Sequence, residues 1–164
     1  MANKIKGKAI KVGDHINTDL IMNNADAAQA GSDIKELGKI CLRNVDPTFA
    51  ARAQEGDVLV AGKNFGCGSA KPAAIALLGA GIRCVVAHSF SRLFFRNCIN
   101  MGLFPVESAE MSMAIQEGDL LEIEMDAQLC RNITQKTEYR LPDLPPLIRD
   151  MVQSGGIANR LKQK

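Results

Sequence analysis

The stretch GDVLVAGKNFGCGSAKPAAIALLGAGIRCVVAHSF, residues 56–90, limits the fold more than any other part of the chain. GDVLVAG reads as a compact apolar strand. From Pro72, PAAIALLGAG has the Ala and Leu content of a buried helix, with proline at its start and glycines at its end. RCVVAHSF is a second apolar strand. Strand, glycine-rich turn, helix and strand form a βαβ unit, whose ligands bind at the carboxyl ends of its parallel strands. The turn at 64–71 occupies that place.

The flanking sequence extends the same architecture. IKGKAIKVG alternates apolar and polar residues with a period of two, predicting a half-buried strand that ends at Gly13. GDHINTDLIMNNADAAQAGSD, with clustered Asn, Asp and Gly, is expected to be a long polar loop, and a loop of that length in a compact domain is usually functional. DIKELGKICLRNV reads as a short helix, SRLFFRNCINMG as a longer one stopping near Gly102, and GDLLEIEM as a strand paired with a weaker one in LCRNITQKTEYRL. LPPLIRDMVQSGGIANRLKQK closes the chain with a proline-started helix, a double-glycine break and a basic helical tail. With no internal repeat and no linker, residues 1–164 are expected to form one α/β domain with mixed strands and flanking helices.

Composition narrows the function classes. Aromatics are 4% of the chain and tryptophan is absent, so aliphatic residues must build the core. Twenty basic against 18 acidic side chains leave +2, too mild a charge to mark a nucleic-acid binder. The basic clusters at Lys4–Lys11 and Arg160–Lys164 read as solvated faces. MANKIKGKAI lacks the apolar core of a signal peptide, and no run reaches the roughly 20 residues that span a bilayer, so a cytoplasmic protein without membrane contact is expected. The five cysteines, at 41, 67, 84, 98 and 130, are odd in number and include no C-x-x-C pair. That argues against a disulfide framework and against a self-contained zinc or iron–sulfur site. Cys41, Cys84 and Cys98 sit in apolar or helix-like surroundings. Only Cys67, between two glycines, reads as accessible.

Three familiar chemistries fail at the glycine-rich turn. It lacks the Gly-x4-Gly-Lys-Ser/Thr phosphate loop, the G-x-G-x-x-G dinucleotide pattern and the Gly-x-Ser-x-Gly nucleophile elbow. What remains is an anion pocket: main-chain N–H groups from Gly66 to Ala70 near a helix N-terminus, with the Lys71 ammonium beside them. Such surroundings favour a serine alkoxide over the hydroxyl, which is otherwise far too weak an acid to act as a base. On the residues alone, Ser69 remains either that activated group or a cap of the following helix.

Three separated blocks, GDHINTDLI, VAGKNFGCGS and VVAHSFSRLFFRNCINMGLFPV, resemble the aconitase superfamily in order and spacing. The likeness is closest to the small, swivelling-domain subunits of 3-isopropylmalate dehydratase and homoaconitase, and it covers most of the chain. The resemblance implies a swivelling β/β/α domain and a hydro-lyase that dehydrates or isomerises a substituted 2-hydroxy dicarboxylate, with leucine biosynthesis the leading setting. Homoaconitase and dehydratases of citramalate or 2,3-dimethylmalate are the alternatives of the same chemistry. A non-catalytic anion-binding module with this fold is the alternative of a different class. The resemblance also implies a large partner subunit, in a heterodimer or heterotetramer, that carries a [4Fe-4S] cluster, while this chain itself binds no metal.

Residue by residue, Ser69 matches the family's catalytic serine, and Cys67, Gly68, Ala70 and Lys71 match its substrate-binding neighbours. The family usually continues Ser-Ser-Arg-Glu, whereas this chain reads Ser69-Ala70-Lys71-Pro72. A hydroxyl is lost at Ala70, and Lys71 keeps the charge of an arginine without its two-pronged fork. Pro72 also removes a main-chain donor from the helix start. In the stretch that selects the substrate side chain, MNNADAAQAG stands where relatives carry an aromatic and an arginine, so Asn23 and Asn24, or the small alanines beside them, become the candidate specificity residues. His15, His88, Arg92 and Arg96 are assigned structural roles, Thr18 and Asp19 are expected to brace their loop, and Phe94 and Phe95 are expected in the core.

Overall fold

The computed structural model describes residues 3–163. Met1, Ala2 and Lys164, the last of these in the C-terminal basic cluster, lie outside the described residues. The first strand, β1 (Lys4–Lys11), leads through two short helices, α1 (Thr18–Ile21) and α2 (Asn24–Ala30), to α3 (Ile34–Ile40) and α4 (Phe49–Arg52). The βαβ unit follows as β2 (Val58–Ala61), α5 (Ala74–Gly79) and β3 (Cys84–Ala87). Next come α6 (Arg92–Met101), β4 (Phe104–Glu107) and α7 (Ala109–Ala114). Strands β5 (Leu120–Glu124), β6 (Leu129–Asn132) and β7 (Thr137–Arg140) precede the closing helices α8 (Pro146–Gln153) and α9 (Ile157–Lys162).

One seven-stranded sheet runs in the order β4-β3-β2-β1-β5-β6-β7. β1 is its seam. Its first half pairs antiparallel with β5, Lys4 opposite Glu124 through Lys8 opposite Leu120, and its second half pairs parallel with β2, Ala9 opposite Val58 through Lys11 opposite Val60. The four strands β4, β3, β2 and β1 are therefore parallel and the other three antiparallel.

The period of two along the strands divides the core. Leu59 and Ala61 of β2 face one cluster with Leu37, Phe49 and Leu77 from α3, α4 and α5. Val58 and Val60 face a second cluster with Ile99, Met111 and Val152 from α6, α7 and α8. The expected α/β domain of mixed strands is thus present, with helices on both faces.

Several expectations change. The polar loop after Gly13 folds into α1 and α2, because Asn17 and Asn23 act as N-caps: the Asn17 side chain accepts from the Leu20 N–H, and that of Asn23 from Ala25 and Asp26. The helix of the βαβ unit begins at Ala74, not at Pro72, since Pro72 lies one residue outside the N-cap Ala73. The weaker C-terminal strand is two strands, β6 and β7, in a hairpin. β4, α4 and α7 are additional; each is four to six residues long, too short to show a clear period.

Candidate active site

Beyond the carboxyl ends of β1, β2 and β3, the three chains stay side by side and build the glycine-rich turn into the sheet. The Gly66 N–H donates to Ile16 O at 2.8 Å and the Thr18 N–H to Cys67 O at 2.9 Å, which ties the turn to the segment leaving β1. On the other side, Phe65 N–H donates to Ser89 O at 3.0 Å and Ser91 N–H to Phe65 O at 3.0 Å. Phe65 therefore enters the core and stacks edge-on to Phe94 of α6, their centroids 5.2 Å apart. Above that ring the backbone has no room for a side chain. Gly66 has φ +80°, and a Cβ there would stand 2.1 Å from the Phe94 ring.

The next residues turn outward over a cleft of about 430 Å³. Its polar wall comprises Ser69, Thr18, Lys71, Arg96, Asn97 and Asn100, and its apolar wall includes Ala70, Pro72, Leu93 and Phe94. Gly68, at φ +91°, makes the bend that presents Ser69. Thr18, only 3% exposed, donates its hydroxyl to Ser69 O at 2.6 Å and fixes that bend from below. Among the described residues, the Ser69 hydroxyl and the main-chain N–H groups of Gly68, Ser69 and Ala70 have no hydrogen-bond partner in the protein. Ser69 is not a helix cap: Ala73 holds the N-cap position of α5, and the Ala74 N–H is taken by Asn97 Oδ1 at 3.2 Å. Among the described residues, no aspartate or glutamate lines the cleft. A concave, donor-rich surface without carboxylates suits an anion.

Of the substrate-binding candidates, Gly68, Ala70 and Lys71 line the cleft with Ser69, while Cys67 is half-buried immediately before them. The Gly66 N–H is engaged by Ile16, so the free donors begin further along the turn. Lys71 departs most from expectation. Its side chain is 8% exposed, and its ammonium forms an ion pair with Asp19 and a 3.0 Å hydrogen bond to Asn24 Oδ1. Thr18 and Asp19 thus brace the loop as expected. Asn23 and Asn24 do not line the cleft: Asn23 caps α2, and Asn24 holds Lys71.

Arg96, assigned a structural role from the sequence, stands in the cleft wall with Asn97 and Asn100 of the same helix. The i, i+4 spacing of Arg96 and Asn100, opposite the buried Phe94 and Cys98, was the available signal. Arg92 is exposed, and His88 lines a separate hollow with Lys63 and Asp14. His15, at φ +54°, donates its N–H to Lys63 O at 2.7 Å.

Among the described residues, no group of three or more His, Cys, Asp or Glu side chains is placed to hold a metal ion. Four of the five cysteines are buried. Burial raises the thiol pKa of Cys41, Cys84 and Cys98, and pushes that of Cys130 up to about 12. No helix among the described residues is long and apolar enough to cross a membrane.

Residues 3–111, the part that contains β1, the βαβ unit and the whole cleft, match the aconitase C-terminal domain. Over 98% of this chain and 99% of its own length, a small subunit of 3-isopropylmalate dehydratase from Caldanaerobacter subterraneus is 41% identical. The chain belongs to the 3-isopropylmalate dehydratase small-subunit family. The namesake small subunit from Desulfovibrio desulfuricans is likewise 41% identical, over 97% of this chain and 96% of its own. The crystal structure of 3-isopropylmalate dehydratase from Methanocaldococcus jannaschii superposes with a TM-score of 0.89 at 37% identity, covering 98% of this chain and 94% of that one. A 3-isopropylmalate dehydratase small-subunit fold therefore extends from β1 to the C-terminal helices.

Proposed function

We propose that this chain forms one wall of the active site of a two-subunit, cytoplasmic hydro-lyase that isomerises a substituted malate, with 3-isopropylmalate as its substrate. The observation that carries the reading is the acid-free cleft around a serine hydroxyl that the protein leaves unpartnered. Membership of the 3-isopropylmalate dehydratase small-subunit family supplies the reaction class.

Ser69 acts as the base. As its alkoxide, it takes the proton from the carbon beside a substrate carboxylate; the freed electron pair becomes the carbon–carbon double bond, and hydroxide leaves the adjacent carbon. The N–H groups of Gly68, Ser69 and Ala70 favour the negative charge on that oxygen, and the Thr18 bond to Ser69 O holds it in place. Return of water to the neighbouring carbon, with Ser69 giving the proton back, completes the isomerisation. The apolar wall of Leu93, Pro72 and Ala70 is the surface against which a branched alkyl substituent packs. A [4Fe-4S] cluster held by the large subunit would supply a Lewis acid toward the departing hydroxyl.

The test is anaerobic co-expression with the large-subunit gene of the same genome, cluster reconstitution, and enoate absorbance with a panel of substituted malates. Turnover is expected with 3-isopropylmalate. Silence across the panel from an assembled, cluster-loaded complex would overturn the reading and favour a non-catalytic anion-binding module.

A further inference from the structure

Two cations stand at the cleft, and the structure treats them oppositely. Lys71, which occupies the loop position next to the serine turn, is withdrawn: its ammonium is held by Asp19 and Asn24, and also lies 3.5 Å from Met22 O. Its charge is neutralised within the protein. Arg96 is exposed, lines the cleft, and has no ion pair or hydrogen bond among the described residues. No acid lines the cleft, and α6 itself, RLFFRNCINM, contains none. Among the described residues that line the cleft with Ser69, the Arg96 guanidinium is therefore the uncompensated positive charge.

Its neighbours on α6 suit the same ligand. Asn97 accepts from the Ala74 N–H through Oδ1, which leaves its NH2 as the group it can offer to the cleft. Asn100 lies one helical turn beyond Arg96 and lines the same wall.

We propose that Arg96 grips a substrate carboxylate, so that the two-pronged contact absent from loop position 71 is supplied by the neighbouring helix α6. A guanidinium offers a carboxylate two parallel N–H bonds, which a lysine cannot. The inference rests on the dicarboxylate reading above and assigns its anchoring residue. Lys71 is a positioning residue that ties the serine turn to α1 and α2.

The test combines binding and kinetics. The 15N-labelled full chain is titrated with 3-isopropylmalate while the Arg96 Nε–Hε resonance is followed, with 2-hydroxyisocaproate, which lacks one carboxylate, as control. The assembled complex is then assayed with R96Q, R96K and K71M. The Arg96 signal is expected to shift with the dicarboxylate and to persist in K71M. R96Q and R96K should raise KM about 10- to 100-fold, with a smaller effect on kcat, as expected for loss of a charge-assisted pair. An unmoved Arg96 signal in both chain and complex, or kcat/KM of R96Q within twofold of wild type, overturns the assignment. Saturable dicarboxylate binding that R96Q abolishes, in a complex that turns over no substituted malate, would uphold Arg96 and overturn the proposed reaction instead.

Discussion

The Thr18 hydroxyl donates a 2.6 Å hydrogen bond to the main-chain oxygen of Ser69, joining the start of α1 to the turn that follows β2. Thr18 is 3% exposed, and its bond anchors the residue whose side chain faces the cleft. Thr18→Val keeps the shape and removes the donor. It should destabilise the chain by about 1 kcal/mol in chemical denaturation and lower kcat more than it raises KM.

Ser69→Ala removes a hydroxyl with no hydrogen-bond partner among the described residues. Melting temperature and association with the large subunit should stay at wild-type values, while kcat falls about 100- to 10,000-fold, the range that general-base groups contribute. Near-normal turnover in that variant would remove Ser69 from the mechanism.

Leu93 is 59% exposed on the apolar wall of the cleft. Leu93→Ala should shift the ratio of kcat/KM for 3-isopropylmalate over citramalate toward the smaller substrate by about tenfold, the low end for methylene-sized discrimination. Parallel assays of the two substrates measure the ratio.

Thiol reactivity should separate one cysteine from four. Burial pushes the Cys130 thiol up to about 12 and raises those of Cys41, Cys84 and Cys98 as well, whereas Cys67 is half-buried in the turn. Iodoacetamide treatment of the native chain near pH 8 should label Cys67 alone, as read by peptide mass spectrometry. Labelling of all five at similar rates would contradict the packing.

Asp46 accepts hydrogen bonds from the Thr48 hydroxyl and from Arg52, then from the Thr48 N–H, and these hold its carboxyl at about 2. Its folded pKa lies below the unfolded value of about 3.9. The stability it contributes is therefore fully present above about pH 4 and is lost as pH falls toward 2. An NMR titration should place its midpoint near 2, and Asp46→Asn should flatten the acid limb of the stability profile.

The parts of the site that depend on neighbouring residues were readable in the sequence. Gly66, Gly68 and Ser69 sit between an apolar strand and a helix, which sets the turn at the sheet's carboxyl end without knowledge of any distant contact. The two asparagine caps were equally local, yet the sequence reading of that stretch is a loop: Asn17 and Asn23 each stand before an acidic first turn, and that pattern outweighs the polar composition. Lys71 and Arg96 were a different matter. The orientation of Lys71 depends on Asp19, 52 residues earlier in the chain. Which face of α6 meets the cleft depends on Phe94 packing beneath Gly66. The i, i+4 spacing of Arg96 and Asn100 puts them on one exposed face of α6, but neither long-range contact is written in that period.

The order of strands has a consequence for assembly. The outermost strands are β4 and β7, each four residues long. Pro105 in β4 follows Phe104, whose N–H points inward to Arg83 O, so the next amide position, directed outward, lacks a hydrogen. On the opposite margin, β7 reads TEYR, largely exposed and carrying both charge signs. Both rims of the sheet are thus poor templates for another strand. A second subunit is therefore expected to meet this chain through side chains and not by lengthening the sheet.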